Sequence, residues 1–212
     1  MADKRLLLVE GSNDKHVILA IQGRRGIRLL DSEKKEFLVC EGIDRLLSSL
    51  PIQLKGSDIA QLGVVVDADV NPSNRWTELR SILLAAGYID VPQTPSEQGT
   101  IIEAPTESIL PRVGIWLMPD NKSSGILEDF LRFLVPTDCA LLPHAQKVIS
   151  TLPEKRFSLV ADPKALIHTW LAWQKDPGCP FGLSITAKFL DAGAPVVDVF
   201  VEWLQRLFGA SR

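Results

Sequence analysis

The feature that most constrains this chain is the alternation of short apolar runs with segments of helical periodicity. Apolar runs at 5–9, 36–40 and 62–66 each precede a segment whose apolar residues recur at helical spacing. The run LGVVV at 62–66 is rich in β-branched residues, which is typical of a strand buried on both faces. Two further strands are expected at 100–103 and 113–117. Strands alternating with helices over short links predict an α/β fold, with a mostly parallel, Rossmann-like sheet flanked by helices.

From Pro136 onward the pattern indicates helices alone, with one over 137–152 that Pro143 breaks or delays and another over 183–190. We therefore expect an α/β domain over residues 1–135. A helical C-terminal portion over 136–212 packs on it, or forms one continuous domain with it. The last helix is amphipathic and can cover this chain's own core or that of a neighbour, so a protein partner or a homo-oligomer stays open.

Two helix boundaries are predicted from local signals in the first half. The cluster Ser12-Asn13-Asp14 is expected to cap the first helix, and Gly23 to end it. The second helix begins near Ile43 and is expected to close at Pro51, because proline cannot donate the next helical hydrogen bond.

Composition excludes several classes of protein. With 46% hydrophobic residues and a formal net charge of -3, the 212-residue chain is neither disordered nor basic enough to hold nucleic acid over its whole surface. A role on nucleic acid therefore needs a local patch, or metal ions that bridge carboxylates to phosphates. No apolar run is long enough for a membrane span or a signal peptide. The three cysteines form no CxxC pair, so we expect reduced thiols and a cytoplasmic protein.

Acidic residues follow three of the predicted strands, where open parallel sheets place their chemistry. These are Glu10, the pair Asp67 and Asp69, and Asp120, with Glu128 and Asp129 on the helix behind the last strand. An isolated DxD is most often a solvated turn, and acids are common at helix N-termini anyway. Clustered carboxylates repel one another unless a hard cation lies between them. Their joint occurrence at three strand ends therefore predicts a Mg²⁺ or Mn²⁺ site.

Two of these segments resemble a known domain. LLLVEGSNDKHVI followed by GVVVDAD is similar to the Toprim domain of type IA and type II topoisomerases, DnaG-type primases, RNA-maturation nucleases and the overcoming-lysogenization-defect nucleases. Toprim proteins carry a Glu after the first strand and a DxD after the third, which correspond here to Glu10, Asp67 and Asp69. VGIWLMPDNKSSGILEDFL and LIHTWLAWQKDPGCPFG resemble, more narrowly, a prokaryotic Toprim-like family of unknown function.

The resemblance implies a Toprim-like fold and metal-dependent phosphodiester chemistry on nucleic acid. Glu10 would act as general acid or base, and Asp67 and Asp69 would hold Mg²⁺. Glu128 is the best candidate for a further ligand, with Asp120 and Asp129 behind it. Contacts to the substrate are expected from the loop and helix residues Gly11 and Asp14 and from two lysines, Lys122 and Lys164. For each lysine, an exposed and merely solvated side chain is the alternative.

The chain departs from two branches of the Toprim group. Its single tyrosine, Tyr88, lies at a helix exit, so a topoisomerase nucleophile on a separate domain is missing. Three scattered cysteines do not supply the zinc module of known primases. A nuclease-like enzyme therefore remains, with a non-catalytic Toprim-like module that binds metal, nucleic acid or protein as the alternative.

A haloacid-dehalogenase-type phosphatase is a weaker alternative. VVVDADV partly matches the signature of that group, in which the first Asp is a nucleophile and the second a general acid. That motif normally follows the first strand, whereas here a β-α-β-α segment precedes it.

Overall fold

The computed structural model describes residues 4–209. The strands are β1 (Lys4–Val9), β2 (Phe37–Val39), β3 (Ile59–Asp67), β4 (Thr100–Ile102) and β5 (Arg112–Met118). The helices are α1 (Ser12–Arg25), α2 (Ile43–Leu54), α3 (Pro72–Ala86), α4 (Leu127–Phe133), α5 (Leu141–Ser150), α6 (Asp162–Ala172), α7 (Phe181–Thr186) and α8 (Pro195–Phe208). A short 3₁₀ helix, Leu159–Ala161, leads into α6.

The five strands form one sheet in the order β2-β1-β3-β5-β4. The pairs β1–β2, β1–β3 and β3–β5 are parallel, and only the short β4 runs antiparallel, alongside β5. This confirms the predicted mostly parallel α/β fold with helices at its C-terminal end. Because β1 and β3 are adjacent and parallel, their carboxyl ends lie side by side, which places Glu10 next to Asp67.

Each face of the sheet is covered by helices, as the β-branched strands predict. On one face, Leu8 and Val64 contribute to a core with α2 and α3. On the other, Leu7, Val65 and Trp116 share a core with α1, α4, α5, α6, α7 and α8. The apolar side of α8 is buried in this second core, so it covers the sheet of its own chain.

Five predicted helix caps, ends or extents are wrong. Gly11 is the N-cap of α1, and the helix passes through Gly23 to end at Gly26, whose φ of +65° supplies the left-handed terminator that glycine favours. Pro51 lies inside α2, and the buried Leu54 continues that helix's apolar face beyond it. The helix expected over 137–152 covers only Leu141–Ser150, and the one expected over 183–190 is Phe181–Thr186. In the second segment, Lys188 has a φ of +65°, a left-handed conformation that a right-handed helix cannot contain, so the helix ends before it.

Within residues 4–209, no helix has the length and apolar character needed to cross a membrane. The cysteines Cys40, Cys139 and Cys179 are all free thiols.

Two glycines on neighbouring strands allow α8 to lie directly on the sheet. Gly63 and Gly114 are register partners on β3 and β5. A Cβ atom on Gly114 would lie 2.5 Å from Cδ2 of Leu207. We expect Gly114→Ala to lower the free energy of unfolding by about 1–3 kcal/mol, because the fully buried Leu207 side chain, or α8 with it, must shift to admit a methyl group.

Gly23→Ala is the matched control for that substitution. Gly23 lies inside α1, and a methyl group at this position would meet no atom from another part of the chain within 4 Å. This change should raise the free energy of unfolding by about 0.4–1 kcal/mol, because alanine restricts the unfolded chain. Urea unfolding measures both, and equal effects of the two substitutions would contradict the packing of α8 described above.

Candidate functional site

Acidic side chains line a cleft of about 310 Å³ at the carboxyl ends of β1 and β3. The first turns of α1 and α4 form its other walls, and α6 contributes one lysine. We call it the acidic cleft; its lining residues are Glu10, Gly11, Ser12, Asn13, Asp14, Glu41, Gly42, Asp67, Leu127, Glu128 and Lys164. Six of the ten residues singled out from the sequence therefore meet here: Glu10, Gly11, Asp14, Asp67, Glu128 and Lys164.

Glu10 and Asp67 are fixed by backbone hydrogen bonds. The Asp67 N–H donates to Oε1 of Glu10 at 2.8 Å, which ties β3 to the end of β1. The Leu127 N–H donates to Oδ1 of Asp67 at 2.9 Å, which ties α4 to β3. Within the described part of the chain, no hydrogen bond engages the second oxygen of either carboxylate. Both groups are thus held in position with an acceptor to spare.

Two further acids are almost fully buried beside them. Asp14 is 7% exposed and Glu128 is 6% exposed. The Gly11 N–H donates to Oδ2 of Asp14 at 2.9 Å, so Asp14 fastens the turn that begins α1. Glu128 lies in the first turn of α4. The sequence predicts Asp14 both in a helix cap and as a substrate contact, and the structure places its carboxylate at the start of α1 and in the cleft.

Burial and mutual repulsion raise the pKa values of these acids. Burial, followed by the charges of Glu10, Asp14, Glu128 and Asp69, raises the pKa of Asp67 to about 8. Burial, with the charges of Glu10 and Glu128, raises the pKa of Asp14 to about 7. The pKa values of Glu10 and Glu128 are also raised, chiefly by burial, while the nearby Lys164 ammonium opposes the shift in both. Acids perturbed in this way in a cleft mark a candidate functional site.

Asp69 turns away from Asp67 and lies outside the acidic cleft. Its φ is +52°, and its backbone N–H and C=O pair with Gly125 at 2.9 and 2.7 Å. Its carboxylate forms an ion pair with Arg75 at 2.7 Å. Arg75 also donates to the Asp67 carbonyl at 3.1 Å and pairs with Glu78 at 2.7 Å. Arg75 thus fixes the shape of the DxD turn, a role that nothing in the sequence pattern marked.

The other predicted residues lie elsewhere. Asp129 accepts a hydrogen bond from the Ile126 N–H at 3.0 Å and lines a neighbouring depression with Asp69. Asp120 accepts hydrogen bonds within its own turn, from the N–H groups of Lys122 and Ser123. Lys122 forms an ion pair with Glu97 at 3.3 Å. Asp120 and Lys122 line a separate cavity of about 470 Å³ together with Trp116.

The acidic cleft offers oxygen ligands of the kind that Mg²⁺ prefers. Among residues 4–209, however, no three His, Cys, Asp or Glu side chains are grouped closely enough to hold a metal ion. The free second oxygens of Glu10 and Asp67 fit a cation in chemical type. For Glu10, Asp67 and Glu128 to bind one cation together, their side chains must therefore rearrange within the cleft.

Removing the side chain that shapes the DxD turn should destabilise the protein. Arg75 is only 11% exposed in its side chain and makes three charge-assisted contacts. We expect Arg75→Met to lower the free energy of unfolding by about 1–3 kcal/mol, because Asp69 and the Asp67 carbonyl lose their donor. In contrast, Arg156→Met removes an exposed pair with Glu154 and should cost at most about 1 kcal/mol. Urea unfolding of both variants measures the difference, and equal losses would contradict this role for Arg75.

Comparison with known proteins adds one finding. A protein-family model with the description "Protein of unknown function (DUF3226)" matches residues 4–209. A search of curated proteins and a search of solved structures each gave no match.

Proposed function

The chain belongs to this DUF3226 family of unknown function, and we propose from the site itself that it performs Mg²⁺- or Mn²⁺-dependent phosphodiester chemistry on nucleic acid. One observation carries the proposal. Of the five acids that line the cleft, the exposed Glu41 pairs with Arg45, and the other four, Glu10, Asp14, Asp67 and Glu128, converge from separate elements beside Lys164. Stability alone gives no reason to gather them, because each one raises the cost of ionising its neighbours.

A divalent cation supplies a physical reason for the cluster. Glu10, Asp67 and Glu128 would hold it, since their carboxylates line the same cleft. When bound, such an ion neutralises the charge that develops on a phosphodiester during cleavage and orients it. Asp14 keeps the Gly11 turn in place through its own hydrogen bond, so it supports the wall of the site.

The remaining roles follow from the side chains. The raised pKa of Glu10 brings its protonation closer to neutral pH, which suits a general acid or base. Lys164 offers a positive charge to an anionic substrate across from the carboxylates. The Toprim resemblance supports the same roles for Glu10 and Asp67. The pairing of Asp69 with Arg75 departs from that pattern, because it draws the second Asp of the DxD out of the cleft.

A non-catalytic binding module is the second candidate. The observation that favours it is that no three metal-ligating side chains are grouped in advance within residues 4–209. A cleft of this kind would bind metal or nucleic acid without turnover. The phosphatase alternative has less support, because its general acid would be Asp69, whose carboxylate is held by Arg75 at 2.7 Å.

A cleavage assay separates these functions. Labelled single- and double-stranded DNA and RNA are incubated with the protein and Mg²⁺ or Mn²⁺, alongside Glu10→Gln and the control Asp58→Asn. Asp58 pairs with Lys4 before β3, away from the acidic cleft. The proposal predicts metal-dependent cleavage that Glu10→Gln abolishes and Asp58→Asn retains.

Two other outcomes reject the nuclease function. Hydrolysis of p-nitrophenyl phosphate that Asp67→Asn abolishes and Glu10→Gln leaves intact indicates a phosphatase. Saturable binding of metal or nucleic acid, without turnover of any substrate, indicates the binding module.

A further inference from the structure

The acidic cleft is one of three depressions that lie along α4 and α6, and we call the row of three the groove. The acidic cleft takes Glu128 and Lys164 from these helices, the next depression takes Asp129 and Pro163, and the third takes Arg132 and again Pro163. The second and third depressions share Pro163, and all three take residues from α4 and from the first turn of α6, so they lie beside one another along these two helices.

The far end of this groove is basic. We call it the basic pocket; it has a volume of about 230 Å³ and is lined by Arg132, Gln146, Ile149, Ser150, Lys155, Asp162, Pro163 and Leu166. Its charged residues are two cations, Arg132 and Lys155, and one carboxylate, Asp162. The Asp162 carboxylate pairs with Lys155 at 3.2 Å. Gln146 adds a neutral amide donor, whereas the Ser150 hydroxyl already donates to the Lys147 carbonyl at 2.8 Å, and the buried Ile149 and Leu166 form an apolar floor.

Arg132 is the free cation of this pocket. No ion pair or side-chain hydrogen bond engages its guanidinium within the described residues. The planar, permanently charged guanidinium matches the geometry of a phosphate group. The pocket therefore has the charge and the donors for a phosphate, whereas the acidic cleft by itself repels one.

Exposed aliphatic side chains lie between the two ends. The middle depression includes Val70, Leu159 and Val160, which are 76%, 77% and 60% exposed. Three such side chains beside one depression form an apolar surface in an otherwise charged groove, and surfaces of this kind mark contact sites. A nucleobase has an apolar face of suitable chemistry to pack there.

We infer that the groove binds one strand of nucleic acid, with a backbone phosphate in the basic pocket and a neighbouring phosphodiester of the same strand at the acidic cleft. This inference rests on the proposed function. Glu128 and Arg132 are four residues apart on α4, so their Cβ atoms lie about 6 Å apart and both can reach one strand. Because Lys155 pairs with Asp162, Arg132 is the uncompensated positive charge of the basic pocket, and it gives a chain with a net charge of -3 a local attraction for a phosphate.

The test is binding of a fluorescently labelled oligonucleotide of roughly 12 nucleotides, within the range of single-strand site sizes. Fluorescence anisotropy is recorded for DNA and for RNA, in Mg²⁺ and over a series of salt concentrations. The variants are Arg132→Gln and the control Lys55→Gln, which removes the same charge from an exposed position at the end of α2. Calorimetric titration of Mg²⁺ without oligonucleotide is run on each variant, and thermal unfolding verifies that each is folded.

We expect Arg132→Gln to weaken oligonucleotide binding about tenfold and to reduce the salt slope by about 0.7, the value for one phosphate contact on a single strand. Lys55→Gln should leave both unchanged, and Mg²⁺ affinity should be the same in all three proteins. Unchanged oligonucleotide binding in Arg132→Gln, or none in the wild type, would overturn the inference, while intact Mg²⁺ binding would leave the proposed function standing.

Two remaining outcomes separate the two proposals. If the wild type binds no Mg²⁺ and Arg132→Gln still loses oligonucleotide affinity, the result supports the strand groove. The same result contradicts the metal function of the cleft. An Arg132-dependent affinity for inorganic phosphate, without one for the oligonucleotide, would overturn the assignment to a nucleic-acid strand.

Discussion

Asp67→Asn will lower metal-dependent cleavage of nucleic acid at least about 100-fold and leave the protein folded. Losses of 10–100-fold are typical even for residues that only support a metal ligand, and Asp67 lies in the cleft itself. Asparagine keeps an oxygen that can accept the Leu127 N–H bond, so α4 stays attached to β3. The substitution also removes the carboxylate whose pKa burial raises to about 8, so stability at pH 8 should stay equal or increase.

This pairing of lost activity with retained stability is the diagnostic result. It is measured by cleavage rate and by urea unfolding at pH 8, with Asp58→Asn as the control. If Asp67→Asn cleaves nucleic acid at the wild-type rate, the assignment of the acidic cleft as the catalytic site is contradicted. Loss of both activity and stability would instead indicate that Asp67 has a structural role only.

The stability of the metal-free protein should fall as the pH rises from about 4 to about 8. The pKa of Asp67 is raised from its ordinary 3.8 to about 8, and that of Asp14 from 3.8 to about 7. The folded protein therefore holds protons that the unfolded chain releases in this range. Their contribution to stability is fully present below about pH 4 and is lost as the pH passes through the raised values. Since one pKa unit corresponds to about 1.4 kcal/mol, the total fall amounts to several kcal/mol.

Millimolar Mg²⁺ should oppose this fall, because the cation stabilises the ionised carboxylates. The measurement is urea unfolding between pH 5 and pH 8.5, in EDTA and in Mg²⁺, on the wild type and Asp67→Asn. The variant should have a shallower pH profile and a smaller response to Mg²⁺. A wild-type stability that is flat or rising with pH in EDTA would contradict the burial of these acids.

The fold and the centre of the candidate site are predictable from the sequence. The apolar runs define β1 and β3, and adjacent parallel strands necessarily end at the same edge of the sheet. That geometry brings Glu10 next to Asp67, as their hydrogen bond at 2.8 Å confirms. Glu128 is also predicted as a third acid, and it reaches the cleft because α4 begins beside the end of β3.

The direction of loop side chains is not predictable in the same way. Asp69 and Asp120 both follow strands, but Asp69 pairs with Arg75 and Asp120 satisfies donors of its own turn. Hydrophobic periodicity reports which residues are buried in regular elements, and it carries no information on these local hydrogen bonds. The basic pocket is not predictable for a related reason: Arg132 and Lys155 come from separate segments of the chain that meet only when it is folded.

Metal binding by the acidic cleft can be tested without a substrate, by calorimetric titration of Mg²⁺ or Mn²⁺ into the wild type, Asp67→Asn and the double variant Asp67→Asn/Asp69→Asn. Performing the titration near pH 7 in two buffers of different ionisation enthalpy also measures proton release. We expect saturable binding to the wild type, with protons released as the cleft carboxylates ionise, and no binding to either variant. Absence of binding at millimolar metal, or binding that persists unchanged in Asp67→Asn, would contradict the assignment of the acidic cleft as a metal site.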